Sequence, residues 1–155
     1  MIRRERVLAA LFAALEAGCQ ATVQRNRRTP ASAGQQGQDG QPDDPGDCPC
    51  LNVVDGGHTV SYENLGLVGY TMRVDVDGAV VADSDALIGP VVNDLYAQVL
   101  DAAMADPSLG GECINVREAS FDVRIAPVEE SARPFADFTV GLEIDFDTPD
   151  GDPAG

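Results

Sequence analysis

The chain has 155 residues and a mass of 16.3 kDa, which is room for one domain and one core. Hydrophobic residues make up 44% and aromatic residues 5%, with no Trp, so wholesale disorder is excluded and the core must be built from Val, Leu, Ile and Ala. Ten basic against 26 acidic side chains give a net charge of -16, which repels phosphate and argues against sequence-reading of nucleic acid, and no apolar run approaches the ~20 residues that a membrane-spanning helix needs.

All ten basic residues are Arg, and they are unevenly placed. Residues 1–28 hold six of them against Glu5 and Glu16, so a basic edge precedes a strongly acidic body. Within that edge Val7, Leu8, Leu11, Phe12 and Leu15 fall on a helical stripe, which predicts an amphipathic first helix stopped by Gly18. The same stretch has the outline of a secretory signal, with Ala17-Gly18-Cys19 like a lipoprotein cleavage site. Glu5 inside its basic region and Glu16 three residues before Cys19 speak against that reading.

Ala21 to Gln24 reads as a short strand leading into Arg25-Asn26-Arg27-Arg28. From residue 29 to 47 the composition changes to Pro, Gly, Gln, Ser and Asp, with no large apolar residue. This predicts a long flexible loop, either an insertion or an arm that contacts a partner. Cys50 to Val54 reads as a strand ended by Asp55-Gly56-Gly57, with extended structure resuming over His58 to Tyr62.

Leu67 to Val76 alternates cleanly, with Val68, Tyr70, Met72, Val74 and Val76 on one face, and Asp77-Gly78 then reads as a hairpin turn. Ser84 or Asp85 can cap a second helix that runs through Met104, with Leu87, Ile88, Val91, Leu95, Val99 and Ala103 as its apolar stripe. Pro90 predicts an early kink or a late start near Gly89, and Asp106-Pro107 ends the helix. Two further strands follow. One contains Phe121, Val123 and Ile125; the other carries Phe138, Val140, Leu142, Ile144 and Phe146 against Thr139, Gly141, Glu143, Asp145 and Asp147. The order α, β, long loop, β, β, α, β, β predicts a single α+β domain over residues 1–155, a mostly antiparallel sheet with two helices packed on one face, and 29–47 as an inserted loop.

Little in the chain suggests a catalytic or metal centre. Cys48-Pro49-Cys50 places two thiols closer in sequence than the usual zinc pair, and Cys19, Cys113 and His58 could complete a set only if the fold gathers them. Ordinary thiols are the favoured reading, with a disulfide and a zinc site as alternatives. Asp145, Asp147, Asp150 and Asp152 lack the spacing and the final Glu of a calcium loop, so a solvated acidic face is expected. The lone His58 has no nucleophile motif beside it, and neither a phosphate-binding loop nor a dinucleotide fingerprint is present. No enzyme, no cofactor and no metal is expected.

The whole layout resembles a known family. The start Arg4-Glu5-Arg6-Val7-Leu8-Ala9-Ala10-Leu11, the strand into Arg25-Asn26-Arg27-Arg28, and the helix from Asp85-Ala86-Leu87 to Met104-Ala105-Asp106-Pro107 come first in it. The run Phe138-Thr139-Val140-Gly141-Leu142-Glu143-Ile144-Asp145-Phe146-Asp147-Thr148, followed by Gly151-Asp152-Pro153, closes it. In order and spacing these are similar to the tail terminator proteins of phages with long non-contractile tails, and of related phage-like particles. The likeness covers nearly the whole chain outside 29–47 and rests on diffuse motifs.

The resemblance implies a virion protein at the head-proximal end of the tail, assembled in the host cytoplasm. It would form a homo-hexameric ring that caps the tail tube protein, ends its polymerisation and joins it to a head-completion connector. DNA would pass through the lumen without specific binding, and no membrane would be involved. Arg25, Arg27, Arg28, Asp145 and Asp147 are the interface candidates. The 29–47 insertion, and acidic residues such as Asp145, Asp147 and Asp150 where relatives often carry basic ones, depart from the family pattern. Another head-tail joining or tail-completion subunit, and an exported lipoprotein, are the alternative readings.

Overall fold

The computed structural model of the chain describes residues 2–34, 46–128, 130–131 and 133–149. Helix α1 (Arg3–Gly18) is followed by β1 (Thr22–Arg25), β2 (Cys50–Asn64), β3 (Leu67–Val81), helix α2 (Asp85–Met104), β4 (Asn115–Ile125) and β5 (Phe135–Pro149). The five strands form one sheet in the order β1-β2-β3-β5-β4, antiparallel throughout except for the short parallel pair β1/β2. The expected α+β fold is therefore the observed one.

Strand parity makes the core. β3 and β5 pair over their full length with Met72 opposite Ile144, Val74 opposite Leu142 and Val76 opposite Val140, so their apolar residues share one face. Both helices pack on that face: Val7, Leu8, Leu11 and Leu15 of α1 and Ile88, Val92, Leu95, Val99 and Ala103 of α2 join the strand residues in one buried cluster. Tyr70 is partly buried at its margin, stacked on Phe146 with ring centroids 5.2 Å apart. Gly18 closes α1 against α2; a Cβ there would lie 2.6 Å from that of Ala102.

Four expectations need correction. Asp77-Gly78 is not a turn. The strand runs on to Val81, with Asp77 opposite Thr139 and Gly78 opposite Phe138, and the hairpin turn lies earlier, at Leu65-Gly66, where Gly66 adopts φ +80°. Gly78 owes its place to packing, because the Phe138 ring lies across it in the space a Cβ would take. Gly78→Ala is therefore expected to displace that ring from Phe121 and to destabilise the fold by about 1–3 kcal/mol, read as a lower urea midpoint with an unchanged m-value.

Second, β2 does not end at Asp55-Gly56-Gly57. It passes through them with a register shift between Asp55 and His58 and a second between Val60 and Tyr62. Third, α2 begins at Asp85, a turn ahead of Pro90, so no late start occurs. The missing Pro90 N–H leaves the carbonyl of solvent-exposed Ala86 to water. Fourth, Leu87 of the expected stripe is 47% exposed and Val92 is buried instead. The seam runs Ile88, Val92, Leu95, Val99 and Ala103, and Leu87 falls on its outer flank.

Both edges of the sheet carry irregularities. β1 covers only Cys50–Val53 of β2, and the free remainder contains the two register shifts; on the other edge β4 shifts between Glu118 and Ser120. Such bulges twist an edge away from flat pairing with a neighbour. Val123 and Ile125 of β4 lie on the helix side yet remain more than half exposed.

Candidate functional site

The second face of the sheet has no helix over it. Alternation puts Thr71, Arg73, Asp75 and Asp77 of β3, Asp137, Thr139, Gly141, Glu143, Asp145 and Asp147 of β5, and Arg117, Ser120, Asp122 and Arg124 of β4 on this open side. They form an ordered lattice. Arg117 bonds Glu143 through Nε and Nη2 (3.1 and 2.8 Å) and reaches Asp145 through Nη1, while Thr71 Oγ1 donates to Asp145 at 2.7 Å. Arg73 lies across Gly141, joining Asp75 (3.0 Å) to Ser120 of β4 (3.0 Å). Arg124 bridges Asp137 and Glu130 at 2.7 and 2.6 Å, and Thr139 donates to Asp77 at 2.7 Å.

The hydrogen bond to Asp145, with Glu143 beside it, raises the Arg117 pKa; Asp137 and Glu130 do the same to Arg124. These pairs are largely solvent-exposed, so each contributes little to stability, but together they hold the side chains of the face in fixed positions. Asp147 has no cation here. It accepts from Tyr62 at 3.5 Å, and Asp122 adds a further carboxylate to the face. Asp150 and Asp152 lie outside the described residues.

At one end of this face the chain after β1 folds back over the sheet. Arg27 and Asn52 exchange reciprocal bonds, Arg27 N–H to Asn52 Oδ1 (2.9 Å) and Asn52 Nδ2 to the Arg27 carbonyl (3.1 Å). The Arg27 guanidinium then meets Asp47 at 2.8 Å, and the same carboxylate oxygen accepts the Ser32 amide at 2.8 Å. Asp47 N–H returns a bond to the Ser32 carbonyl at 2.9 Å. Residues 27–32 and 46–48 are thus clasped together, and Ala31 and Ala33 pack with Cys50, Ala79 and Phe135 in a small second cluster. The expected flexibility of 29–47 concerns, over 35–45, residues outside those described; the flanks 29–34 and 46–47 are held. Between the clasp and the sheet lies a cleft of about 400 Å³, with Arg27, Arg28, Cys50, Asn52, Asp77 and Thr139 on its walls.

The three candidate arginines separate in role. Arg25 points to the helix side and grips Glu5 of α1 with both terminal nitrogens, beside the Arg4–Asp55 pair. Arg27 holds the clasp. Arg28 is exposed and, among the described residues, has no partner. Sequence reasoning missed Asp47 as the hub of the clasp, since its partners Arg27 and Ser32 come together only through the fold. It also missed Arg73, Arg117 and Arg124, whose outward positions on alternating strands were the available signal.

Acid is expected to loosen the α1–β1–β2 corner. The Arg25 hydrogen bonds hold Glu5 below its usual 4.5. Burial pushes Asp55 upward, yet the Gly57 amide, the Arg4 hydrogen bond and nearby Arg charges outweigh it and leave Asp55 below its usual 3.8. Groups depressed in the folded state contribute stability that is fully present above their unfolded values and is lost as pH falls through the folded ones. Thermal midpoints should therefore fall as pH drops below about 4.5. In Glu5→Gln, where the Glu5 carboxylate is gone and only Asp55 remains to titrate at this corner, that decline should be shallower.

No helix among the described residues is long and apolar enough to cross a membrane, and no group of three or more His, Cys, Asp or Glu side chains among them is arranged to hold a metal ion. No protein-family model and no curated protein matches the chain.

Proposed function

We propose that the protein is a structural subunit of a phage-type tail, a terminator that forms a six-membered ring on the head-proximal end of the tail tube, stops tube growth and presents a surface to the head connector. The observation that carries this reading is the open face of the sheet. It is broad, dressed with charges joined in cross-strand pairs, with a cleft at one end, and its carboxylates exceed its cations. A face of that kind suits a lumen or a contact between large neighbours. A lumen lined by excess carboxylate repels phosphate, so DNA slides past it without adhering.

The likeness in the order of elements supports the same reading: an N-terminal helix, a short strand into an arginine run, a long mid-chain helix, and a final alternating strand. The experiment is direct. Purified protein is examined by light scattering and electron microscopy, alone and with tail tubes polymerised from a purified tube subunit. Rings seated on one end of tubes that have stopped growing are expected. Tubes that lengthen unchecked, with no density at either end, would defeat the proposal.

A further inference from the structure

Past the aromatic margin of the core, β2 and β3 run on as a hairpin arm. From His58 to Leu67 every residue of it is exposed. The arm is nevertheless laddered, from Val60 opposite Tyr70 to Asn64 opposite Leu67, and β5 backs it as far as Pro149. Its side chains are not those of a solvent loop. Val60 is more than half exposed, Tyr62 and Leu67 are well exposed on it, and Leu65 stands wholly in solvent at the turn, a position that ordinarily takes a small or polar residue. Tyr62 is set in place: its ring lies across Gly69 in the space a Cβ would take, and its hydroxyl reaches Asp147. Apolar surface held in order but left in water does not stabilise a single chain, and a cluster of it marks a contact surface.

The charges of the arm narrow the partner. Among the described residues neither Glu63 nor Asp147 has a cation. An apolar arm with uncompensated carboxylates fits an apolar surface that holds a spare cation. The chain itself carries such a surface. Ile2 is exposed at the start of α1, and Ile114 is exposed where the chain enters β4. Arg3 and Arg6 tie these two segments together, Arg3 Nη2 to the Gly111 carbonyl at 3.0 Å and Arg6 Nε to Glu112 at 3.1 Å. Arg3 meets no carboxylate nearer than Glu112 at 3.9 Å, and it stands in the first turn of a helix, where the dipole disfavours a cation. The other exposed apolar group, Val123, Ile125 and Val128, lies among Asp122, Glu130 and Asp137 with Arg124 already taken, so it would repel the arm.

We infer, on the reading of the chain as a ring-forming subunit, that the 58–67 arm of one copy docks on the α1–β4 corner of the next, with Leu65 against Ile2 and Ile114 and Glu63 paired to Arg3. Above Val53 the arm is the β2 edge of the sheet, and the corner lies at the β4 edge. The contact therefore joins two different surfaces of the same chain. Each copy gives its arm to one neighbour and receives an arm from the other, the head-to-tail pattern that closes a ring.

The test is sedimentation velocity of the full chain over a concentration series in low salt. The wild-type chain at about 100 μM should sediment as a closed ring of six. Leu65→Ser should keep the parent thermal midpoint, because the residue touches nothing in its own chain, and should weaken association about thirtyfold or more. Glu63→Arg and Arg3→Glu should each weaken it about tenfold, and the two together should recover most of the loss. A wild-type chain that stays monomeric overturns the docking, as does Leu65→Ser that assembles like the parent. A double variant no better than either single one removes the α1–β4 corner as the receiving surface. Rings that depend on Leu65 yet leave tube growth unchecked would defeat the tail reading and leave the docking standing.

Discussion

Leu11→Ala is expected to lower the free energy of unfolding by about 2–5 kcal/mol, and Leu95→Ala by a similar amount. Leu11 is wholly buried and Leu95 nearly so, and they enter the same buried cluster from different helices. Each truncation removes buried methyl groups and leaves a space that a sheet pinned by long ladders cannot close by shifting. Leu87→Ala is the control, because half-exposed Leu87 lies off the seam and should cost well under either. Urea titration of the three variants decides the matter. Equal, small losses in all of them would mean that α1 and α2 do not supply the core.

Arg28→Glu is expected to leave the fold intact and to abolish tail capping. Of the three arginines Arg25, Arg27 and Arg28 it is the one with no carboxylate partner among the described residues, while Arg25 and Arg27 are committed to Glu5 and Asp47. A cation left open at the rim of an otherwise acidic surface suits a carboxylate on another chain. Pairs of that sort set register and association rate more than affinity, and salt screens them. The variant should keep the thermal midpoint of the parent and produce overlong or headless tails. Arg25→Glu should behave in the opposite way, losing thermal stability first because it sets two carboxylates against each other at the α1–β1 corner. Normal, head-joined tails from Arg28→Glu would remove this residue from the contact surface.

The contrast among these arginines shows where sequence reasoning holds and where it stops. β3, β5 and the α1 stripe are legible because each buries one face, and the period of two or 3.6 is then written into consecutive residues. The ends of elements read less well. Asp77-Gly78 has the composition of a turn, but the residue that selects Gly78 is Phe138, which pairs with it only across the sheet. Leu87 and Val92 exchange roles because a one-residue rotation of a helical stripe is invisible without knowing what it faces. Arg25, Arg27 and Arg28 look alike as a cluster, and their difference lies in Glu5 and Asp47, which the fold brings in from either side. The open face was readable as polar, but not as a lattice, since its bonds run between strands distant in sequence.

The placement of β5 has a consequence for how the chain acquires its structure. The last strand in the sequence is inserted between β3 and β4, so it is the piece that joins the sheet into one body. Until Phe135–Pro149 has been made, β3 lacks its second partner and β4 has none among the described strands. A nascent chain therefore holds α1, the β2–β3 hairpin and α2 around an unfilled slot, and it exposes the apolar faces that Val140, Leu142 and Ile144 will later cover. Folding of the sheet is bound to be non-local and late, with its decisive step after synthesis of β5 rather than during it. Released chains that end before Phe135 should accordingly be degraded rapidly by added protease, and released chains extended through Pro149 should gain protection in a single step.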